Sequence, residues 1–266
     1  MSSLTTSHAG KTYILTGGCS GIGLAILNIL LSQSATVHVL DISSTPPQIS
    51  AHLPQKNVHF YPNTDVSSRP SVHNAFTKIL TITPTIDGLI NNAGIASLPP
   101  VSGMESDESF DRTMEVNVRG VWNTGTEYLS RILPTPDPSS PDTDDTGPTE
   151  GKGVIVNIAS TAAIQASIGF VSYTVSKHAV LGMTRAWAAN FAHRGVRVNC
   201  VAPGGTDTPL VSGILDEKGK ESYISRVPMG RLARPEEIAN AVGFLLGGES
   251  SFMTGQVVVV DGGRYV

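Results

Sequence analysis

Short, unbroken apolar runs alternate with longer amphipathic stretches along the whole chain. The runs are Thr12–Thr16, Thr36–Leu40, Val58–Tyr61, Ile86–Ile90, Gly153–Ala159, Val196–Val201 and Gln256–Val260. They are rich in Val and Ile and lack polar alternation, the pattern of strands covered on both faces. Helical stretches fall at Ile22–Leu31, Val72–Leu80, Phe110–Leu133, Tyr173–His193 and Pro235–Leu246. Alternation of this kind predicts a single-domain α/β fold: a doubly wound parallel sheet of about seven strands with helices on both faces. Such a sheet offers a ligand crevice at its carboxyl edge. Residues 134–152 break the pattern with five prolines, five acidic residues and no large apolar side chain, and are expected to form a solvated surface-loop insertion.

Composition narrows the class. Of 266 residues, 40% are apolar and 15% charged, and the net charge is −4 with no basic block. Nucleic acid and anionic membrane are therefore not expected as partners. No run reaches the ~18 apolar residues of a membrane span, and Met1–Lys11 lacks the apolar core of a secretory signal. Cys19 and Cys200 lack metal or redox spacing and read as buried or partly buried thiols of a reducing compartment. The histidines are scattered, so no metal is expected, and the chain reads as a soluble cytoplasmic protein.

The first strand runs into Thr16-Gly17-Gly18-Cys19-Ser20-Gly21-Ile22-Gly23, which opens a helix. Glycine lets backbone approach a pyrophosphate, and a helix N-terminus presents free N–H groups to an anion. Gly17, Cys19, Ser20, Gly21, Ile22 and Gly23 are thus the expected phosphate cradle, although a glycine cluster alone also suits any tight turn. Asp41 ends the second strand, where a carboxylate can accept from both hydroxyls of an adenosine ribose. It would repel a 2′-phosphate, which favours NAD over NADP; capping of the strand is the plainer role. Asp65 and Val66 follow the third strand, either beside the adenine or as an ordinary turn.

Tyr173 and Lys177 lie four apart on a predicted helix and share a face. A phenol near its ordinary pKa of ~10 is a poor base at neutral pH, and a nearby ammonium favours the phenolate. Most Tyr-x-x-x-Lys pairs are ordinary surface helix. Thirteen residues earlier, however, Ser160 ends a buried strand at the carboxyl edge, where a hydroxyl can donate to a substrate carbonyl. A turn or a helix cap is the alternative role for that serine.

Together these segments resemble the short-chain dehydrogenase/reductase family, in its branch of about 250 residues, from Lys11 to Gly263. The resemblance implies a Rossmann-type fold with Gly17, Gly21 and Gly23 as the Thr-Gly-x-x-x-Gly-x-Gly loop. Asn91 to Gly94 match an Asn-Asn-Ala-Gly motif, with Asn92, Ala93 and Gly94 lining the cofactor. Asn117 matches the asparagine that holds a proton-relay water, and Ser160, Tyr173 and Lys177 match the catalytic set. Tyr173 and Lys177 also touch the cofactor. Pro203, Gly204, Thr206 and Thr208 match the turn near the nicotinamide carboxamide, and Met253 to Gly263 resemble the C-terminal strand. Dimers or tetramers through Phe110–Leu133 and Tyr173–His193 are implied as well.

The implied reaction interconverts a secondary alcohol and a ketone with NAD(H). The same centre could serve a dehydration or epimerisation, or the chain could be a silent NAD-binding regulator. Substrate walls are expected from Ile95, Ala96, Ser97 and Leu98, from Ser160, Ala162, Ile164 and Phe170, and from Leu210–Met229. Residues 205–230 read as a substrate lid. These positions bring no cluster of arginine or lysine, so a neutral, apolar or cyclic small molecule is expected.

Overall fold

The computed structural model describes residues 8–96, 104–133 and 151–265. Its strands are β1 (Thr12–Thr16), β2 (Thr36–Leu40), β3 (Val58–Tyr61), β4 (Gly88–Asn91), β5 (Gly153–Ile158), β6 (Val196–Pro203) and β7 (Val257–Val260). They form one parallel sheet in the order β3-β2-β1-β4-β5-β6-β7. The chain crosses from one edge to the middle after β3, so the direction of winding reverses between β1 and β4. That is where a doubly wound sheet opens a crevice beyond its carboxyl ends.

The helices are α1 (Gly21–Ser32), α2 (Arg69–Ile82), α3 (Asp107–Met114), α4 (Gly120–Ile132), α5 (Val171–Phe191), α6 (Pro209–Ser212), α7 (Glu217–Ile224) and α8 (Pro235–Leu246). Because side chains alternate across a strand, β1 feeds both faces. Ile14 joins a cluster with Phe76 of α2, Tyr128 of α4 and Val180 of α5. Its neighbours Tyr13 and Leu15 join the opposite cluster with Ile26 of α1 and Val242 of α8. Burying the β-branched strand residues on both sides supplies the main favourable term of folding. It also fixes the three-layer order.

Two differences from the periodicity have physical causes. The fourth strand starts at Gly88 rather than Ile86. The Asp87 carboxylate turns back to accept from Lys11 Nζ and the Thr12 amide, both at 2.8 Å. The stretch Phe110–Leu133 is not one regular helix: a π-helical turn, Glu115–Arg119, separates α3 from α4. Hydrophobic spacing cannot register one residue inserted into a turn, and such turns gather at functional sites. Of the expected 134–152 insertion, residues 134–150 lie outside the described residues. Residues 205–230 hold α6 and α7.

A buried polar chain locks the middle of the sheet. Thr124 donates to Asn91 Oδ1 at 2.6 Å, Asn91 Nδ2 to Asn157 Oδ1 at 2.9 Å, and Asn157 Nδ2 to Thr184 Oγ1 at 2.9 Å. It links α4, β4, β5 and α5. Buried amides tolerate few other arrangements, so the ends of β4 and β5 are held in register beneath the crevice.

Candidate active site

The loop after β1 is built from glycine because nothing else fits its backbone. Gly17 and Gly21 have φ of +68° and +52°, values costly for other residues. A Cβ at Gly23 would overlap the Gly17 carbonyl oxygen. Asn92 fastens this loop to β4, its Nδ2 donating to the carbonyls of Thr16 and Gly17 at 3.1 and 2.8 Å. Thr16 Oγ1 accepts in turn from the amides of Asn92 and Ala93.

A cavity of about 340 Å³ extends from this loop along the carboxyl edge. Gly17, Ser20, Gly21 and Ile22 line it beside the positive end of α1, with Asp41, Asp65 and Val66 at the ends of β2 and β3. Asn92, Ala93, Gly94 and Ile95 continue the wall to Ser160, Tyr173 and Lys177, and Pro203, Gly204, Thr206, Thr208 and Leu210 close the other side. Two expected cofactor residues stand behind the wall. Cys19 uses its amide to donate to Asp41 Oδ2 at 2.9 Å, and Gly23 packs against Gly17. Thr64 and Arg112 line the cavity without having been singled out in the sequence. No local motif surrounds either of them.

Asp41 braces its surroundings as well as facing the cavity: Oδ1 accepts from the Ser43 amide and Oδ2 from that of Cys19, each at 2.9 Å. Each oxygen keeps lone-pair capacity for a further donor. Burial pushes the Cys19 thiol up to about 12, helped by the Asp41 charge, so this cysteine stays protonated. Cys200 is buried, and its thiol is pushed up to about 11 by that burial.

The π-helical turn places Asn117 beneath the crevice, 1% exposed. Its side chain clamps the Ile95 backbone, accepting from the amide at 2.8 Å and donating to the carbonyl at 2.9 Å. Nδ2 also donates to Ser176 Oγ at 3.0 Å. With the amide group so engaged, a relay water held here would have to use main-chain groups.

Tyr173 and Lys177 occupy the first two turns of α5, with Lys177 Nζ 5.5 Å from the centre of the Tyr173 ring. Nζ donates to the Ile158 carbonyl at 3.0 Å. Burial drives the ammonium down to about 8. Burial also raises the Tyr173 phenol above its ordinary value, opposed by a hydrogen bond with Ser160. The positive charge expected to favour the phenolate, from Lys177 and an oxidised nicotinamide ring together, therefore has this desolvation to overcome. Ser160 Oγ also accepts from the Ala162 amide at 3.1 Å, capping a 3-10 turn.

A second cavity of about 460 Å³ shares Ser160, Tyr173, Gly204, Leu210 and Val211 with the first. Ala96 and Phe170 line it as expected, as do Ile214, Leu215 and Gly219 from the 205–230 segment. Ala162 and Ile164 line neither cavity: Ala162 is buried and Ile164 is exposed elsewhere. Ser97 and Leu98 lie outside the described residues. The expectation that the walls bring no cluster of arginine or lysine is also corrected, because Arg226 and Arg264 both line this space. Arg264 follows the last strand, far in sequence from every other part of the site, and belongs to no motif.

Among the described residues, no cluster of His, Cys, Asp and Glu is arranged to hold a metal ion. No helix among them is long and apolar enough to cross a membrane. The glycine loop, whose missing Cβ atoms leave room for a diphosphate, and the carboxylate at the end of β2 fit a nicotinamide dinucleotide. The paired hydroxyls of Ser160 and Tyr173 suit proton exchange with an alcohol or carbonyl.

The family model described as enoyl-(acyl carrier protein) reductase matches residues 17–264. The chain is 35% identical to the 3-oxoacyl-(acyl-carrier-protein) reductase FabG of Thermotoga maritima, over 97% of this chain and 98% of that one. It is also 35% identical to the cyclopentanol dehydrogenase of a Comamonas species, over 95% and 96% of the two chains. Among solved structures, the 3-ketoacyl-(acyl-carrier-protein) reductase of Brucella melitensis complexed with NADH superposes with a TM-score of 0.83. It is 29% identical, with 98% of this chain and all of that one covered. With sheet order, glycine loop and tyrosine–lysine helix in agreement over nearly the full length, this chain belongs to the short-chain dehydrogenase/reductase family and is an oxidoreductase of the alcohol–ketone class.

Proposed function

We propose that the enzyme interconverts a secondary alcohol and a ketone with NAD(H), on a small molecule whose body is apolar or cyclic. The observation that carries this reading is that Ser160 and Tyr173 stand where the two cavities meet, with Lys177 beside them in the first. When bound, the nicotinamide ring supplies or accepts the hydride. The chain's own residues manage the proton. Ser160 donates to the substrate oxygen and fixes its position. In reduction, Tyr173 gives its phenolic proton to the carbonyl oxygen; in oxidation, its phenolate removes the proton of the hydroxyl.

Because burial raises the phenol, forming the phenolate needs positive charge nearby. Lys177, driven down only to about 8, keeps most of its charge at neutral pH and lies on the same helical face. The π-helical turn at Asn117 provides main-chain groups for a water that passes the proton outward. Asp41 favours a ribose with a free 2′-hydroxyl, which supports NAD over NADP. Leu210, Ile214 and Phe170 give the substrate cavity its apolar walls. Exposed Trp122 on α4 and Val175 on α5 support a dimer or tetramer built through these helices.

A panel of cyclic alcohols and ketones followed at the NADH absorbance band tests this. Net gain or loss of NADH is expected, faster than with NADP(H). Turnover that leaves the band unchanged would replace oxidoreduction by an internally redox-neutral reaction.

A further inference from the structure

Of the described residues lining the second cavity, Arg226 and Arg264 are charged and none is acidic or lysine. Arg264 is held rigidly. Its guanidinium carbon lies 4.1 Å from the centre of the Tyr223 ring and 5.2 Å from that of Tyr265. Tyr223 is itself tied down, because its hydroxyl accepts from the Gly205 amide at 2.6 Å. The stack is thereby anchored beside Gly204, which lines both cavities. Stacking orders a guanidinium while leaving its in-plane donors unused.

Those donors find little inside the protein. Arg264 Nη1 donates to the Tyr223 carbonyl at 3.5 Å, at the limit of a hydrogen bond. Nε is buried and has no hydrogen-bond partner among the described residues. The nearby Asp261 carboxylate is turned to backbone instead, Oδ1 accepting from the Gly263 amide and Oδ2 from that of Tyr265, both at 3.0 Å. Among the described residues, neither Arg264 nor Arg226 forms an ion pair. An ordered cation with an orphaned buried donor is unfavourable unless something else completes it. The cofactor phosphates are not that partner, since the glycine loop lines the first cavity and neither arginine does.

We propose that the substrate carries a carboxylate, bound by Arg264 with Arg226 beside it, while its carbonyl or hydroxyl meets Ser160 and Tyr173. A planar guanidinium fork matches a carboxylate edge-on with two parallel hydrogen bonds. The inference rests on the alcohol–ketone reading for the reacting end and adds the chemistry of the other end. It replaces the neutral substrate expected from the sequence by an acid with an apolar, ring-sized body.

The test compares 3-oxocyclohexanecarboxylate with its methyl ester as substrates of the wild type, Arg264→Gln and Arg264→Lys. Calorimetric binding of cyclohexanecarboxylate, which has no ketone, is measured in parallel. NADH binding and melting temperature confirm that each variant is folded. In the wild type the acid is expected to exceed the ester in kcat/KM by roughly tenfold to a hundredfold, mainly through KM. Arg264→Gln is expected to bring the acid-to-ester ratio of kcat/KM close to one, and Arg264→Lys to keep part of the preference. Equal use of acid and ester by the wild type would overturn the proposal. So would an acid preference that survives in Arg264→Gln, or a stronger preference for the phosphate ester dihydroxyacetone phosphate. If neither ketone is reduced yet cyclohexanecarboxylate binds the wild type and not Arg264→Gln, the carboxylate site stands and the redox reading falls.

Discussion

At the scale of the residue, Lys177 shows how much of this site is held against its own stability. It is 5% exposed, and burial lowers its ammonium to about 8 from an ordinary value near 10.5. Between these two values the unfolded chain binds more protons than the folded one, so stability rises with pH across that window. Below pH 8 both states are protonated and the burial penalty is present in full. Lys177→Met should therefore melt higher than the wild type at pH 7, by on the order of 1–2 kcal/mol. That advantage should shrink as the pH approaches 10. Melting curves at several pH values check this; a variant less stable at pH 7, or a gap that does not change with pH, would contradict it.

At the scale of the element, the glycine loop and the π-helical turn do opposite things with backbone. The loop excludes side chains so that chain can lie against chain: Asn92 reaches two carbonyls of the loop, and Gly23 sits on the Gly17 carbonyl oxygen. Gly23→Ala should push these apart, lowering the melting temperature and weakening NADH binding about tenfold or more. Fluorescence titration of NADH reads the effect, and affinity within twofold of wild type would mean the close approach does not shape the cradle.

The loop was legible in the sequence because glycine spacing after an apolar run has few other uses. The π-helical turn was not, since Phe110–Leu133 keeps an apolar face whether or not one residue is inserted. The strands were legible almost to the residue, because Val and Ile runs buried on both faces leave little choice. Ala162 was misplaced for the converse reason: a small apolar residue beside Ser160 suits a cavity wall and the interior equally, and local sequence does not separate them.

At the scale of the whole molecule, the site exists because the sheet reverses its winding between β1 and β4. Asp41, Asn117, Ser160, Tyr173 and Arg264 come from five separate segments, and the ends of parallel strands bring them to one edge. The residues within motifs could be placed from the sequence. Arg264 could not, because its meaning depends on Tyr223 lying beneath it and on no described residue of the cavity wall carrying a carboxylate. Tertiary proximity of that kind leaves no local signal.

The assembled edge has one chemical step that depends on a single atom, the phenolic oxygen of Tyr173. Turnover and NADH binding measured side by side in Tyr173→Phe test that dependence most directly. Turnover should fall by at least about 100-fold, the lower end of what a positioned proton donor contributes, while NADH affinity stays near wild type. A variant that retains most of its turnover would show that the proton moves elsewhere.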